Sequence, residues 1–348
     1  MDSSTLVSVS DGWVRTTTLT DTATLDPLHD EPTPPRFRRR GRITMWVSGA
    51  WLLFIVFSAV GASFLPYVNH SCDQFENEDL CTTHVETNPL LAERPPSWAL
   101  FSETSRPVVG DAPERFGLFG TDTNGYDLFS RTMFGARNSL LIGALSISFG
   151  ILIGGMLGLV AGYMGKRVDK IIDTIMNILL AFPALLLAIF IVGFFDSSTT
   201  TEAESRSIVP IVIALVILSI PPIARLVRAN TIVFAQREFV LAARSLGAKN
   251  SRIIMREILP NVMPAMVTFA ITGMAILIVA EGALAYLGLS VTAPTPTWGA
   301  MIFGGQTKLE TAWWISIMPS IILFVTVLAI NLLGDALSEK FRIREAIG

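Results

Sequence analysis

Long apolar runs alternate with polar segments along most of this chain. A helix needs about 20 predominantly apolar residues to cross the hydrocarbon core of a bilayer. Six stretches meet that requirement, at residues 43–65, 139–163, 171–195, 208–226, 262–287 and 313–333. Pro221 and Pro222 lie in the fourth run, and we expect them to end or bend its helix. The pattern predicts an all-α integral membrane protein with six transmembrane helices.

The polar segment between the fourth and fifth runs is too long to be a simple turn. It spans residues 225–261 and carries seven basic side chains. Residues 238–246 are predicted to form a helix, with Gly247 as its C-terminal stop and Ala242 and Ala243 as a small-residue face. A basic amphipathic helix lying on anionic lipid is one interpretation. Insertion into the groove of a partner protein is the other, which small side chains favour because they allow close approach.

Composition agrees with a membrane protein, since 51% of the residues are hydrophobic and only 16% are charged. The basic residues are unevenly distributed among the polar segments. Placing the N-terminus inside puts 19 of the 26 Lys and Arg residues on the cytoplasmic side, as the positive-inside rule requires. We therefore expect a multi-pass protein with both termini cytoplasmic.

These features set the expected boundaries along the chain. The N-terminal tail is rich in Ser, Thr, Asp and Pro, ends in a basic cluster, and is predicted to be disordered rather than to be a secretory signal. A large extracytoplasmic loop follows helix 1. The expected parts are the tail (1–42), helix 1 (43–65), the extracytoplasmic loop (66–137), a core of helices 2 to 6 (138–341) that includes the cytoplasmic coupling loop (227–261), and the cytoplasmic C-terminus (342–348).

The extracytoplasmic loop contains both cysteines of the chain, Cys72 and Cys81. Because the loop faces an oxidising compartment, a disulfide between them is the first expectation. Free thiols are the second. A metal site is the third, because His70 and His84 flank the cysteines with donors that zinc accepts. We assign no metal ligand from so short a stretch.

Glu281 is an isolated carboxylate within the fifth apolar run. Such a group is costly inside a membrane, so we expect it to face the bundle interior and to be paired or hydrated. A structural hydrogen bond between helices and a place on a path through the membrane are the two roles left open. Trp298, Trp313 and Trp314 are expected in the outer aromatic belt.

Two motifs narrow the interpretation of the cytoplasmic loop. Leu241-Ala-Ala-Arg-Ser-Leu-Gly247, followed after nine residues by Glu257-Ile-Leu-Pro260, resembles the EAA loop of ABC importer permeases. Two positions depart from that family, since Leu241 replaces a glutamate and Glu257 replaces an isoleucine. Glu238 is close enough to substitute for the missing acidic residue.

A second set of motifs resembles one branch of that family. Gly120-Thr-Asp-Thr-Asn-Gly-Tyr-Asp-Leu-Phe-Ser-Arg131 and Gly135-Ala-Arg-Asn-Ser-Leu-Leu141 are similar to the second (C-type) permease subunit of dipeptide, oligopeptide and nickel importers. Tyr126 stands where that branch has arginine. The resemblance covers about residues 43–341, and the N-terminal tail and the cysteine-containing insertion lie outside it.

The resemblance implies a type I ABC importer permease fold in the bacterial cytoplasmic (inner) membrane. The expected partners are a homologous permease forming a heterodimer, two ABC ATPase subunits, an extracytoplasmic substrate-binding protein, a peptide substrate and membrane lipid, with no nucleic acid. ATP and Mg would be bound by the ATPases and no cofactor by this chain, which is not expected to be an enzyme. The expected ATPase-coupling residues are Glu238, Leu241, Ala242, Ala243, Gly247 and Pro260, and Glu281 is the pathway candidate.

No phosphate-binding loop is found in the sequence, because Arg167 follows Gly165 and Lys166 where such a loop requires Ser or Thr. The predicted function is therefore that of a permease subunit translocating short peptides into the cytoplasm, driven by ATP hydrolysis elsewhere. Import of nickel or another small solute by the same family is the alternative. An ion-coupled secondary transporter is a third, although it is expected to contain internal repeats, which this sequence lacks.

Overall fold

The computed structural model describes residues 38–62, 64, 87–99, 117–196, 208–291 and 295–347, and the described residues from 41 onward form one compact unit. The described part is helical, and its β structure is an isolated bridge between Thr121 and Asp127. The α-helices are α1 Arg38–Gly61, α2 Leu128–Met164, α3 Lys166–Ala181, α4 Ala184–Asp196, α5 Ile208–Ala235, α6 Glu238–Ser245, α7 Asn250–Arg252, α8 Leu259–Tyr286, α9 Trp298–Gly305 and α10 Trp314–Ile347. A π-helical turn, Ile253–Ile258, joins α7 to α8.

Five helical stretches are long and apolar enough to cross a membrane, and a sixth span is formed if α3 and α4 are counted together. This confirms the all-α class and agrees with the predicted number of spans. The third run differs in shape, because α3 and α4 meet at an angle of 89°. Pro183 explains the break: a proline disfavours helical backbone in the preceding residue, and Phe182 is extended, with φ −85° and ψ 135°.

Helix α5 does not end at its prolines. It continues to Ala235 with Pro221 and Pro222 inside it. Of the two expected outcomes, an end or a bend, the end is therefore contradicted. Arg225 and Arg228 therefore belong to α5 and not to a loop. Helix α2 also exceeds its apolar run, since it begins at Leu128, within residues assigned to the extracytoplasmic loop.

The close contact between α2 and α5 depends on glycines spaced four residues apart. A Cβ atom at Gly154 would lie 2.8 Å from the backbone oxygen of Ile220, and one at Gly158 would lie 2.6 Å from that of Ala224. Such spacing lets helix backbones approach closely in membranes, where van der Waals packing drives association. The sequence contains this signal, but the apolar-run analysis did not use it. The glycines that line this contact are Gly150, Gly154, Gly158 and Gly162.

Two tryptophans expected in the aromatic belt are core residues instead. Trp298 and Trp314 are fully buried. Their indole N–H groups donate to backbone oxygens, Trp298 to Thr132 at 3.0 Å and Trp314 to Thr121 at 3.2 Å. Apolar patterning cannot separate the two locations, because a tryptophan whose N–H is satisfied is as stable in a core as at an interface.

Two segments that precede α2, residues 87–99 and 117–127, fold against the bundle; we call them the pre-α2 segments. The backbone N–H of Thr121 donates to the oxygen of Arg94 at 2.9 Å, and the Glu93 N–H donates to the oxygen of Asp122 at 2.9 Å. Glu93 also forms an ion pair of 3.1 Å with Lys308. These contacts join both segments to each other and to the residues before α10.

Candidate functional site

Helix α6 is short and has sharp boundaries. Arg237 precedes it in extended conformation, and Gly247 follows it with φ +77°, a left-handed value that favours glycine. The N–H of Gly247 donates to Arg244 O at 3.0 Å and the N–H of Ala248 to Ala243 O at 3.1 Å. This pair of bonds is a Schellman cap. The predicted helix and its glycine stop are therefore confirmed.

The two sides of α6 differ in burial. Val240 is fully buried and belongs to the main hydrophobic cluster, against which Ala243 and Ala248 pack. Leu241 and Leu246 point away from the bundle and are 48% and 88% exposed. The structure thus separates the two predicted alanines, because Ala242 is exposed whereas Ala243 is half-buried against the bundle.

Tyr163, at the end of α2, contacts both sides of the turn that follows α6. Its hydroxyl donates to Asn250 Oδ1 at 3.2 Å, and the Arg244 guanidinium carbon lies 5.4 Å from the centre of its ring. A cation over an aromatic face is attracted by the ring quadrupole. Neither partner of Tyr163 could be inferred from the sequence, because both come from a distant segment.

The path from this turn into α8 contains a change of helical register. The N–H of Leu259 donates to Ile254 O, five residues back, as in a π-helix. Pro260 follows in the first turn of α8 and is exposed. A proline ring clashes with the carbonyl four residues earlier, which the wider π turn relieves. The Asn261 side chain donates to Glu257 O at 2.6 Å.

Helices α3 and α5 are joined by charged side chains near the α2–α3 turn. The Arg228 guanidinium donates two hydrogen bonds to the Asp169 carboxylate, from Nε to Oδ1 and from Nη2 to Oδ2, the second at 2.7 Å. Arg225 donates to Asn177 Oδ1 at 2.6 Å. A bidentate Arg–carboxylate pair fixes orientation as well as distance. The sequence did not predict this pair, since both arginines were placed in the loop.

The Glu281 carboxylate is completely buried. Its Oε1 atom accepts hydrogen bonds from Ser290 Oγ at 2.9 Å and from Thr297 Oγ1 at 2.8 Å. Its Oε2 atom has no hydrogen-bond partner among the described residues and faces Gly299, where a Cβ atom would lie 3.1 Å from it. The carboxylate therefore holds the end of α8 to the residues before α9. Its expected interior position is confirmed.

The motif before α2 builds a tight turn. Asp122 Oδ1 accepts backbone N–H groups from Asn124 at 2.9 Å and Tyr126 at 3.0 Å. Asp127 caps α2 by accepting from Ser130 N at 3.1 Å. Burial raises the pKa of the Asp122 carboxyl, whereas Arg131 and the backbone N–H groups lower it. Gly125 has a φ of +85°, and a Cβ atom at this position would lie 2.0 Å from the Asn88 backbone oxygen. Gly125 therefore tolerates no side chain.

The remaining sequence expectations concern cysteines and metals. Cys72 and Cys81, with His70 and His84, lie outside the described residues, so their pairing stays a prediction. Within the described part of the chain, no group of three or more His, Cys, Asp or Glu residues has the geometry of a metal site.

Comparison with known proteins identifies relatives. A family model described as the inner membrane component of binding-protein-dependent transport systems matches residues 154–343. The glutathione transport permease GsiD of Pectobacterium atrosepticum is 39% identical over 231 residues, which cover 66% of this chain and 74% of that protein. The di/tripeptide transport permease DppC of Pseudomonas aeruginosa is 35% identical over 288 residues, which cover 83% of this chain and 85% of that protein.

The dipeptide transport permease DppC of Alkalihalophilus pseudofirmus is 36% identical, over 69% of this chain and 76% of that protein. Among solved structures, the inward-facing MetNI methionine ABC transporter matches with a TM-score of 0.51 and 19% identity, over 61% of this chain and 97% of that one. That likeness shows a shared fold. Membership of this family excludes the alternative of an ion-coupled secondary transporter. Proteins of this family are the non-catalytic membrane components of their transport systems. The chain belongs to the inner membrane components of binding-protein-dependent transport systems, the permease subunits of ABC importers.

Proposed function

We propose that this chain is the C-type permease subunit of an ATP-driven importer that moves short peptides into the bacterial cytoplasm. The relatives described above are named for dipeptides, di/tripeptides and glutathione, and all of these are peptides. Nickel or another small solute remains the alternative within the family. Parallel measurements of ATP-dependent uptake of a labelled dipeptide and of radioactive Ni²⁺ separate the two, because each reading predicts uptake of its own substrate.

The observation that carries the coupling role is the two-sided burial of α6. A helix that transmits force needs one side fixed to the moving bundle and another available to its partner. Val240 supplies the fixed side, and Leu241, Ala242 and Leu246 supply an exposed apolar side. We assign that exposed side to a groove on an ATPase subunit. Glu238 begins α6, Gly247 caps its C-terminal end, and Pro260 lies in the first turn of α8.

The assembly in this proposal contains a homologous permease, two ATPases that bind ATP and Mg, and an extracytoplasmic substrate-binding protein. Both termini and the α6 segment, residues 236–261, are cytoplasmic, and the pre-α2 segments are extracytoplasmic. The distribution of Lys and Arg supports this orientation. ATP binding then shifts the bundle between inward-open and outward-open states.

Co-purification tests the coupling role directly. We expect ATPase subunits to co-purify with the native chain and to be lost from the Leu246→Glu variant, because the substitution places a charge in an apolar contact. Leu118→Glu is the matched control, since Leu118 is an exposed leucine in a pre-α2 segment. Equal ATPase recovery with Leu246→Glu and native chain contradicts the assignment of α6. Uptake of a labelled dipeptide into proteoliposomes loaded with ATP, with the binding protein supplied on the outside, tests the transport function.

A further inference from the structure

A small cavity lies where the pre-α2 segments meet α2 and α9. Its volume is about 220 Å³. Its polar lining includes Asp122, Asn124 and Arg131, and its apolar lining includes Ala300 and Gly304. Binding pockets for drug-sized molecules occupy roughly 300–1,000 Å³, so this cavity suits a dipeptide or one end of a longer peptide.

Arg131 is the unusual member of this lining. Its side chain is only 9% exposed, yet its Nε and Nη1 atoms have no hydrogen-bond acceptor among the described residues. Asp122 Oδ2 lies 3.8 Å from Nε, which is beyond hydrogen-bond distance. The Tyr126 ring centre lies 4.1 Å from the guanidinium carbon and stabilises the positive charge without accepting its N–H groups in conventional hydrogen bonds.

Asp122 is poorly placed to satisfy Arg131. Its Oδ1 atom is already used by two backbone N–H groups of its own turn. Moving the carboxylate toward Arg131 would break the bonds that shape that turn. A buried guanidinium with open donors is costly unless an acceptor is supplied, and the cavity is where such an acceptor can enter.

We propose that this cavity binds the carboxylate of a short peptide, with Arg131 donating charge-assisted hydrogen bonds to it. Arginine is well suited to carboxylates because its donors are fixed in a plane and it is always charged. The assignment of a peptide as the ligand rests on the proposed function. In the proposed orientation the cavity is on the extracytoplasmic side, where the peptide arrives.

Equilibrium dialysis of the purified transporter without its binding protein tests the site. The probes are radiolabelled L-alanyl-L-alanine and the same dipeptide with an amidated C-terminus, which has no carboxylate. We expect the acid to bind and the amide to bind at least tenfold more weakly. Arg131→Gln should reduce binding of the acid tenfold or more, because it removes the charge.

A second variant keeps Arg131 and closes the cavity. Gly304 lines it, and a Cβ atom at Gly304 would meet nothing within 4 Å. Gly304→Leu therefore fills the space without a backbone clash and should abolish binding of the acid. Gly193→Leu is the matched control, because Gly193 in α4 also has open space at its Cβ position, and it should bind like the native transporter.

Three results overturn the proposal: no binding of the acid to native transporter at millimolar concentration, equal binding of acid and amide, or unchanged binding in Gly304→Leu. The first result would leave Arg131 as a structural cation that holds the turn at Tyr126. ATP-dependent dipeptide uptake is measured separately in the presence of the binding protein. Carboxylate binding without any such uptake refutes the proposed function and leaves the site itself supported.

Discussion

The α6 segment and the pre-α2 segments both expose apolar side chains, Leu118 in a pre-α2 segment among them, but they differ in buried charge. In the α6 segment, apolar Leu241 and Leu246 are exposed. In the pre-α2 segments, Glu93 and Arg94 are buried; Glu93 pairs with Lys308, and Arg94 donates to Leu90 O within its own segment. Exposed apolar surface indicates a missing partner, whereas buried charge must be satisfied within the fold or by a ligand. We propose the α6 segment as a docking element. The pre-α2 segments are the scaffold, in which Glu93 pairs with Lys308, and beside them Arg131 of α2 has two donor atoms without an acceptor among the described residues.

The largest expected effect breaks the bundle that supports both regions. Gly158→Val places a Cβ atom 2.6 Å from the backbone oxygen of Ala224, so α2 and α5 must separate. We expect destabilisation of about 3 kcal/mol or more, seen as a lower melting temperature and aggregation in fluorescence-detected size-exclusion chromatography. Gly193→Val has open space at its Cβ position and should behave like the native chain. A native-like profile for Gly158→Val would show that α2 and α5 are not closely packed there.

The sequence predicted this bundle better than its details. Six apolar runs located the spans, because hydrophobic length is imposed by the bilayer. The bend at Phe182 was not predicted, although Pro183 was visible, since a proline inside a bundle is compatible with both a kink and a straight helix. The helical continuation through Pro221 shows the other outcome.

Prediction of the candidate site was limited in the same manner. Gly247 marked the end of α6 because a left-handed residue favours glycine wherever the helix packs. The difference in burial between Ala242, which is exposed, and Ala243, which packs against the bundle, could not be predicted, because it depends on which side of α6 contacts the bundle. The partners of Tyr163, which are Arg244 and Asn250, come from a distant segment. Those of Arg131, which are Asp122 and Tyr126, are close in sequence, but the turn before α2 sets their geometry. Hydrophobic periodicity predicts neither set of contacts.

A second prediction separates the attachment of α6 from its docking. Val240→Ala removes buried methyl groups from the side that faces the bundle and should cost roughly 2 kcal/mol locally. Hydrogen exchange of α6 amides in purified permease subunits should become faster. Leu241→Ala, on the exposed side, should leave this exchange unchanged and reduce ATPase stimulation in the assembled transporter. Faster exchange in both variants, or in neither, removes the distinction between the two sides.

Glu281 provides the third prediction, which separates its two possible roles. Glu281→Ala leaves the Ser290 and Thr297 hydroxyls without their acceptor and should cost about 2 kcal/mol, measured as a lower melting temperature. Glu281→Gln keeps an oxygen acceptor, so we expect native assembly, ATPase activity and uptake. Reduced peptide uptake by Glu281→Gln with assembly and ATPase activity intact would instead establish the pathway role.

The smallest expected effect concerns the link between α2 and the α6 segment. Tyr163→Phe removes the exposed hydrogen bond to Asn250 and keeps the ring beneath Arg244. A bond of this kind contributes about 1 kcal/mol or less, so folding should be unaffected. If α2 receives motion from α6 through this side chain, fewer peptides should be imported per ATP hydrolysed in the variants. The decrease should be slight in Tyr163→Phe and larger in Tyr163→Leu, because Tyr163→Leu also loses the cation–π contact. An equal ratio in native chain and both variants means that the force reaches the bundle through Val240 and the α7–α8 connection, and that Tyr163 only supports the turn.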